Sequence, residues 1–197
     1  MADRFHLHGT KPRKSRVALL LIDFINDLEF PGGSKLLRQA LPAARKTAAL
    51  KRRANAAGVP VIYVNDNFGQ WRSDFRRQVR HCLQDGVRGE PLARLLIPSE
   101  DDYFVLKPKS SAFFETTLHT LLVHLGAKKL IVTGIAADVC ILFTVHDAHL
   151  LDYEIIVPSD CVASETKRDT DIALRVMRKS THAQVCKSVE IRLRKLG

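Results

Sequence analysis

The chain has 197 residues, of which 46% are hydrophobic, and this length is sufficient to bury the core of one domain. Lysine and arginine number 31 against 21 aspartates and glutamates, so the formal net charge at pH 7 is +10. No apolar run reaches the length of a membrane span, and residues 1–15 are basic and polar rather than a secretory signal, so we expect a cytoplasmic protein with no membrane partner.

The high positive charge raises the question of a nucleic-acid partner. The basic residues are spread over helical stretches such as 45–53, 72–80 and 168–179, and no arginine run is interleaved with aromatic residues. The sequence contains no recognition-helix, zinc-finger or single-strand-binding pattern. Solvated helix faces explain this distribution, so we predict no nucleic-acid partner, although the net field favours anionic small molecules.

Strand patterns and helical patterns alternate along the chain. Residues 16–24 form a nearly continuous apolar run, which is typical of a parallel strand covered on both faces. Further strands are predicted, in chain order, over 60–66, 103–108, 130–132, 154–160 and 185–193. Helices are predicted over 34–57, 71–84 and 116–125, from about residue 138 onwards, and over 166–183.

This alternation predicts an α/β protein with a three-layer α/β/α architecture. Its centre is expected to be a six-stranded, mainly parallel, Rossmann-like sheet with helices on both faces. Residues 16–197 are predicted to form this single domain, and residues 1–15 a basic N-terminal arm.

Reactive side chains follow several of the predicted strands, at the edge where open α/β sheets bind ligands. Asp23 ends the first strand between two apolar neighbours, so it needs a partner where it is buried. Lys107 ends the third strand, with Lys109 close behind. Cys140 follows the fourth strand near the start of a helix that Asp138 can cap, where unpaired N–H groups and the helix dipole favour a thiolate. Taken singly, each residue also fits a purely structural role.

Together these residues supply the groups that acyl transfer requires. A Cys140 thiolate would attack an electrophilic carbon, and Asp23 would accept the thiol proton and return it to a leaving amine. A nearby ammonium, from Lys107 or Lys109, would keep Asp23 ionised. The backbone N–H of Cys140 and another from the turn at 134–137 would bind the oxyanion.

Three motifs give the chain a resemblance to a known family. They are LLLIDFINDL around Asp23, KPKSSAFFETTL beginning with Lys107, and TGIAADVCILFTVHDA around Cys140. In this order they resemble the isochorismatase-like cysteine hydrolase superfamily, which includes nicotinamidases and N-carbamoylsarcosine amidase. The resemblance implies an Asp23–Lys107–Cys140 catalytic triad. It also implies a cis peptide bond between Ile135 and Ala136, with the N–H groups of Ala136 and Cys140 forming the oxyanion hole.

Departures from the family pattern bear on metal binding and substrate. Nicotinamidases of this superfamily commonly bind a metal through an Asp-x-His motif after the second strand, with further histidines nearby. Asp66 matches the aspartate, but Phe68 replaces the histidine. We therefore predict no metal and no other cofactor, which argues against nicotinamidase activity. Isochorismatases proper lack the cysteine nucleophile, so Cys140 indicates C–N bond hydrolysis of a small amide or ureide.

Loops at the same sheet edge supply the predicted walls of a substrate pocket. These candidates are Phe24, Phe30, Asn67, Phe68, Trp71, Phe113 and Val139. The other cysteines, Cys82, Cys161 and Cys186, have no metal-binding spacing and are interpreted as reduced structural thiols. The long amphipathic helices and the basic arm predict a homo-oligomer, either a dimer or a tetramer.

Three alternatives to a cysteine amidohydrolase remain open from the sequence. One is nicotinamidase proper, and another is a non-catalytic binding or scaffold protein that retains the fold. The third is a thiol redox sensor, which the absence of a second cysteine in the Cys140 motif disfavours.

Overall fold

The computed structural model describes residues 14–193, which form one parallel sheet with helices on both faces. The seven strands are, in chain order, Val17–Ile22 (β1), Val61–Asp66 (β2), Tyr103–Lys107 (β3), Lys129–Ile135 (β4), Glu154–Pro158 (β5), Val162–Ala163 (β6) and Gln184–Cys186 (β7). The α-helices are Gly33–Ala56 (α1), Phe75–Gln84 (α2), Glu90–Leu95 (α3), Leu118–Leu125 (α4), Leu142–Leu150 (α5) and Lys167–Ser180 (α6). A π-helical turn, Ala137–Ile141, directly precedes α5 and is called the π-turn below.

The strand order places the centre of the sheet at β1. The order is β3-β2-β1-β4-β5-β7, every neighbouring pair is parallel, and β6 pairs separately with the carboxyl end of β4. The chain runs outward from β1 to β3 and then returns to the other side of β1 at β4. Since this reversal is where doubly wound sheets bind ligands, the carboxyl ends of β1 to β4 define the expected site.

Both faces of β1 are covered, and every one of its residues is buried. Leu19 and Leu21 pack in a cluster with apolar residues of α1, α2 and α3. Leu20 and Ile22 pack in a second cluster with α4, α5 and α6. A strand between two helical layers must be apolar at successive positions, which explains the continuous run in the sequence. The predicted three-layer α/β/α fold is confirmed.

The carboxyl end of the chain departs from the sequence prediction. A strand is expected over 185–193, but β7 covers only Gln184–Cys186. The carboxylate of Asp160 accepts hydrogen bonds from the N–H and the hydroxyl of Ser188, at 2.7 and 2.9 Å. These bonds draw the chain out of the sheet into a 3₁₀ turn. In addition, α3 and β6 contain six and two residues, which is too short for a hydrophobic period to reveal.

The helix that carries Cys140 also begins differently from the expectation. The Ile141 N–H donates to the carbonyl of Ala136 at 3.1 Å, five residues back, which is the π-helical spacing. Asp138 does not cap this segment, because its carboxylate accepts a hydrogen bond from Ser164 instead. Cys140 therefore lies in a π-turn and not in the first turn of an α-helix.

Three further sequence expectations concern membrane spans, the N-terminal arm and the cysteines. Between residues 14 and 193, no helix is long and apolar enough to cross a membrane. The basic arm predicted for residues 1–15 lies outside the described residues except for its last two positions. All four cysteines lie inside the described range and are free thiols.

Gly134 allows β4 to approach β1 closely. Its φ is 140°, and a Cβ atom there would lie 2.2 Å from the carbonyl oxygen of Ile22. We expect Gly134→Ala to lower the free energy of unfolding by about 3 kcal/mol or more, because steric overlap adds to backbone strain. Gly69→Ala is the matched control, since Gly69 also has a positive φ of 71° but faces open space. That variant should lose only about 1–2 kcal/mol. Equal losses in urea denaturation would contradict this account.

Candidate active site

Asp23, Lys107 and Cys140 come together at the carboxyl edge of the sheet. Lys107 Nζ lies 2.9 Å from Asp23 Oδ2 and 3.5 Å from Cys140 Sγ. Lys107 is fully buried and Asp23 is 4% exposed, whereas Cys140 is partly exposed. A buried ammonium requires a nearby anion, so Asp23 and Lys107 form a buried ion pair against which the thiol rests.

Asp66, at the end of β2, contacts both members of this ion pair. Its backbone N–H donates to Asp23 Oδ1 at 2.7 Å, and its Oδ2 lies 3.3 Å from Lys107 Nζ. Lys109 contributes a backbone carbonyl, which accepts a hydrogen bond from Lys107 Nζ at 3.1 Å. The sequence spacing does not show which of the two lysines meets Asp23. In the structure the ammonium group beside Asp23 and Cys140 is that of Lys107.

The π-turn with Cys140 is held from one side by β6. The peptide bond between Ile135 and Ala136, just before this turn, is cis. The hydroxyl of Ser164 accepts a hydrogen bond from the Asp138 N–H at 3.2 Å and donates one to the Asp138 carboxylate. Ser164 directly follows β6, so the pairing of β6 with β4 fixes the position of the turn. The sequence motif contains no signal for this contact, because Ser164 lies outside it.

A second set of contacts joins the loop after Lys107 to α5. The Ser111 hydroxyl donates to the Asp147 carboxylate at 2.5 Å. The Ala112 N–H donates to Thr144 Oγ1 at 3.0 Å. These bonds link the segment after β3 to the helix that follows Cys140. The residues at both ends of these bonds belong to the sequence motifs around Lys107 and Cys140, but the sequence alone does not indicate that the two motifs are in contact.

Burial and charge set the protonation states at this edge. Burial and the neighbouring Asp23 carboxylate raise the pKa of Cys140 to about 12, and the Lys107 ammonium opposes this only in part. Burial also raises the pKa of Asp23, although Lys107 and the hydrogen bond with Cys140 act in the opposite direction. Burial disfavours the Lys107 ammonium, but the negative charges of Asp23, Cys140 and Asp66 raise the pKa of Lys107.

These directions favour a Cys140 thiol beside the contact of Asp23 with Lys107. This differs from the expectation that the start of the helix favours a Cys140 thiolate. Desolvation and the Asp23 charge raise the pKa of Cys140 by more than the Lys107 ammonium lowers it. In addition, Cys140 lies in a π-turn and not in the first turn of an α-helix, which the expectation assumed. A carboxyl whose pKa is raised by burial is well suited to exchange a proton with the thiol.

Phe24 does not belong to the predicted pocket. It is fully buried in the cluster that contains Leu19 and Leu21, so the prediction that it lines the pocket is wrong. The alternation of β1 would place Phe24 on the same face as Ile22. Asp23 has a left-handed backbone with φ 54°, which breaks this alternation and lets Phe24 enter the core on the other face.

The other predicted pocket residues differ in their exposure to solvent. Phe113 is partly buried and stacks on Tyr153, with ring centroids 5.9 Å apart. The large apolar members that are exposed are Phe30, Phe68, Trp71 and Val139. Asn67 is 7% exposed, and its Oδ1 accepts a hydrogen bond from the Gly69 N–H at 2.8 Å.

A cavity of about 490 Å³ lies between the loop after β2 and α2. Asn67 and Phe68 line it together with Arg77, Gln78 and His81. The three side chains of the ion pair and thiol are not among its lining residues. The cavity therefore lies beside the candidate site, and the loop after β2 borders both.

The residues present do not fit the metal site of an Asp-x-His motif. Asp66 Oδ1 accepts a hydrogen bond from the Phe68 N–H at 2.7 Å, and its Oδ2 faces the Lys107 ammonium. Within residues 14–193, no group of three or more histidine, cysteine or acidic side chains could hold a metal ion. The Asp66 carboxylate is already paired with the Lys107 ammonium, and Phe68 offers no imidazole ligand beside it.

Comparison with known proteins identifies the family. The isochorismatase domain model matches residues 17–189. The chain belongs to the isochorismatase family. It is 37% identical over 178 residues to the uncharacterized isochorismatase family protein YaaI of Bacillus subtilis (strain 168), a match that covers 90% of this chain and 97% of that protein.

Other relatives of this isochorismatase-family chain include named hydrolases. Maleamate amidohydrolase of Pseudomonas putida is 29% identical over 167 residues, covering 78% of this chain and 73% of that protein. The structure of N-carbamoylsarcosine amidase from Thermoplasma acidophilum is similar with a TM-score of 0.68 and 26% identity, covering 90% and 99% of the two chains. The probable inactive nicotinamidase At3g16190 of Arabidopsis thaliana is 33% identical over 164 residues, covering 78% and 84%. The chain is thus an isochorismatase-family hydrolase related to amidohydrolases.

The buried ion pair should stabilise the fold as a unit. We expect Lys107→Met to lower the free energy of unfolding by about 3–5 kcal/mol, because Asp23 would stay buried without its cation. Adding Asp23→Asn should recover most of this loss, since no fully buried charge then lacks a partner. Urea denaturation of the single and double variants measures both effects. If the double variant is destabilised by the sum of the two single losses, the pair does not act as a unit.

Proposed function

We propose that this chain is a cysteine hydrolase that cleaves a C–N bond of a small amide or ureide through a thioester on Cys140. The observation that carries the proposal is the double contact of Lys107 Nζ, at 2.9 Å from Asp23 and 3.5 Å from Cys140. A base, a cation and a nucleophile are the groups that acyl transfer needs within one site.

The proposed reaction begins with proton transfer from the Cys140 thiol to Asp23. The thiolate attacks the substrate carbonyl carbon, and Lys107 compensates the negative charge that moves onto sulfur. The N–H groups of Ala136 and Cys140 bind the oxyanion. Asp23 then returns the proton to the leaving nitrogen as the C–N bond breaks, which leaves an acyl group on Cys140.

Hydrolysis of the thioester completes the cycle. Asp23, again ionised, takes a proton from a water molecule that attacks the acyl carbon. The acid product leaves, and Asp23 returns the proton to Cys140. The same carboxylate therefore acts as base and acid in both halves of the reaction, for which a raised pKa of Asp23 is favourable.

The substrate is proposed to contact the loop after β2 and the π-turn. Asn67, Phe68, Trp71 and Val139 belong to these segments, and Phe113 follows Lys107 on the neighbouring loop. Exposed aromatic side chains such as Trp71, which is 78% exposed, are available for contact with a ligand. Phe24 is omitted from the proposed pocket because it is part of the core.

The relatives support an amide or ureide and leave one competing function. Two of them, maleamate amidohydrolase and N-carbamoylsarcosine amidase, are named for hydrolysis of C–N bonds. The probable inactive nicotinamidase of Arabidopsis thaliana favours the alternative that the fold is retained without catalysis. The contacts among Asp23, Lys107 and Cys140 favour catalysis, because a scaffold has no need for a buried base beside a thiol.

Location and assembly are part of the same proposal. Four free thiols are typical of a reducing compartment, so we expect the protein in the cytoplasm. Exposed apolar side chains on the π-turn and α5, including Val139, Phe143 and Leu150, favour a homo-oligomer.

Replacing the nucleophile tests the proposed reaction directly. Cys140→Ala should reduce turnover by about 10³-fold or more, because no covalent intermediate can form. Ammonia release is measured with carbamoyl amines, biuret, ureidoacrylate-like compounds, nicotinamide and simple amides. Cys186→Ala is the matched control, since Cys186 is another partly exposed thiol and lies on β7. It should retain the activity of the unmodified chain.

The same panel separates the competing functions. Mass spectrometry of acid-quenched reactions should detect an acyl adduct on the peptide that contains Cys140. Turnover that survives in Cys140→Ala would refute the thioester mechanism. A complete lack of turnover by the unmodified chain, with Cys140 still open to alkylation, would favour the non-catalytic alternative.

Chelators should leave the activity unchanged. The carboxylate of Asp66 is paired with Lys107, and position 68 carries phenylalanine where a metal motif would have histidine. The measurement is kcat/KM before and after dialysis against EDTA. A loss of activity that Zn²⁺ or Mn²⁺ restores would contradict this prediction.

A further inference from the structure

Asp66 makes contacts that the proposed reaction does not explain. Its backbone N–H holds Asp23 Oδ1 at 2.7 Å, and its Oδ2 lies 3.3 Å from Lys107 Nζ. The side-chain amide of Gln78 donates to the Asp66 carbonyl at 2.9 Å, and the Phe68 N–H donates to Asp66 Oδ1 at 2.7 Å. The backbone of Asp66 is thus held by α2, and its carboxylate is oriented by its own loop.

Two carboxylates share one ammonium at this site. The charged and titratable groups in contact with Lys107 Nζ are Asp23 after β1, Asp66 on β2 and the Cys140 thiol on the π-turn. The remaining partner is the carbonyl of Lys109, which is neutral. Ionisation of the thiol would place three negative charges around a single positive one. The Asp66 carboxylate therefore disfavours a Cys140 thiolate in two ways. Its negative charge repels the thiolate, and it pairs with the same Lys107 ammonium that would stabilise the thiolate.

The two carboxylates differ in their surroundings. The side chain of Asp23 is 6% exposed, whereas that of Asp66 is 28% exposed. The more buried carboxylate is better placed to exchange a proton with Cys140, because its charged form gains less from water.

We propose that Asp66 is a positioning residue that sets the protonation state of Cys140 by holding part of the Lys107 charge away from the thiol. This inference rests on the proposed function, because it takes Cys140 as the nucleophile. It adds that a residue which does not itself exchange the proton contributes, beside burial and Asp23, to keeping the resting thiol protonated. The free enzyme is thereby protected from alkylation and oxidation at Cys140, since the thiolate is the reactive form.

Alkylation of Cys140 by iodoacetamide tests the inference without any substrate. Asp66→Asn removes the charge but keeps the backbone N–H and an oxygen that can accept from Phe68. We expect Cys140 in this variant to react about three- to tenfold faster at a fixed pH between about 7 and 9, because the thiol ionises more readily. The modified peptide is quantified by mass spectrometry, so the other three cysteines do not interfere.

Asp101→Asn is the matched control. Asp101 is exposed just before β3, at the opposite end of the strand from Lys107, so its loss changes the net charge equally without touching the site. The alkylation rate of Cys140 should then equal that of the unmodified chain. A merely structural role of Asp66 predicts slower or unchanged alkylation in Asp66→Asn, and either result would overturn the inference.

The design separates this inference from the proposed function. If Asp66→Asn fails to fold, Asp66→Ser offers a hydroxyl that can still accept from the Phe68 N–H, and the same acceleration is expected. Unchanged alkylation together with normal amide turnover in the unmodified chain would remove only the role of Asp66. Faster alkylation without any amide turnover would support the electrostatic role and refute the proposed reaction.

Discussion

The buried contact between Lys107 and Asp23 is the constraint on which the rest of this sheet edge depends. An ammonium with no solvent exposure is tolerated only where a carboxylate meets it at short range, here 2.9 Å. This requires β1 and β3 to end at the same height on either side of β2, and the parallel register, which pairs Asp66 with Lys107, provides it. The apolar core on both faces of β1 holds these strand ends in place.

The same burial determines when the thiol becomes reactive. Desolvation disfavours a charge on Cys140 and on Asp23 alike, so the two groups compete for one proton under the influence of Lys107. Titrations of such closely coupled groups belong to the cluster and not to one residue. In the proposed reaction the reactive ion therefore arises within the site by internal proton transfer, and the solvent supplies no base.

Those parts of the structure that depend on local pattern could be predicted from the sequence. The apolar run of β1 could be recognised because both faces of that strand are covered, and the strand ends point to Asp23, Lys107 and Cys140. The contacts of Asp66 with Asp23 and Lys107 could not be predicted, since they depend on β2 lying between β1 and β3, and parallel pairing is a contact between distant segments.

The errors of the sequence prediction also have local physical causes. Phe24 leaves the predicted face because Asp23 has a left-handed backbone. The π-turn at Cys140 has the same apolar pattern as an α-helix, so periodicity does not distinguish them. The last strand ends early because a single carboxylate, Asp160, binds Ser188.

The contact between Ser164 and the π-turn has a consequence for local opening of the structure. The turn that carries Cys140 is supported by β6, a strand of two residues that pairs with the carboxyl end of β4. A pairing of two residues opens at a lower free energy than the buried central strands, whose contacts extend over six or seven residues. Opening of β6 would therefore release the segment around Cys140 while the central sheet stays folded.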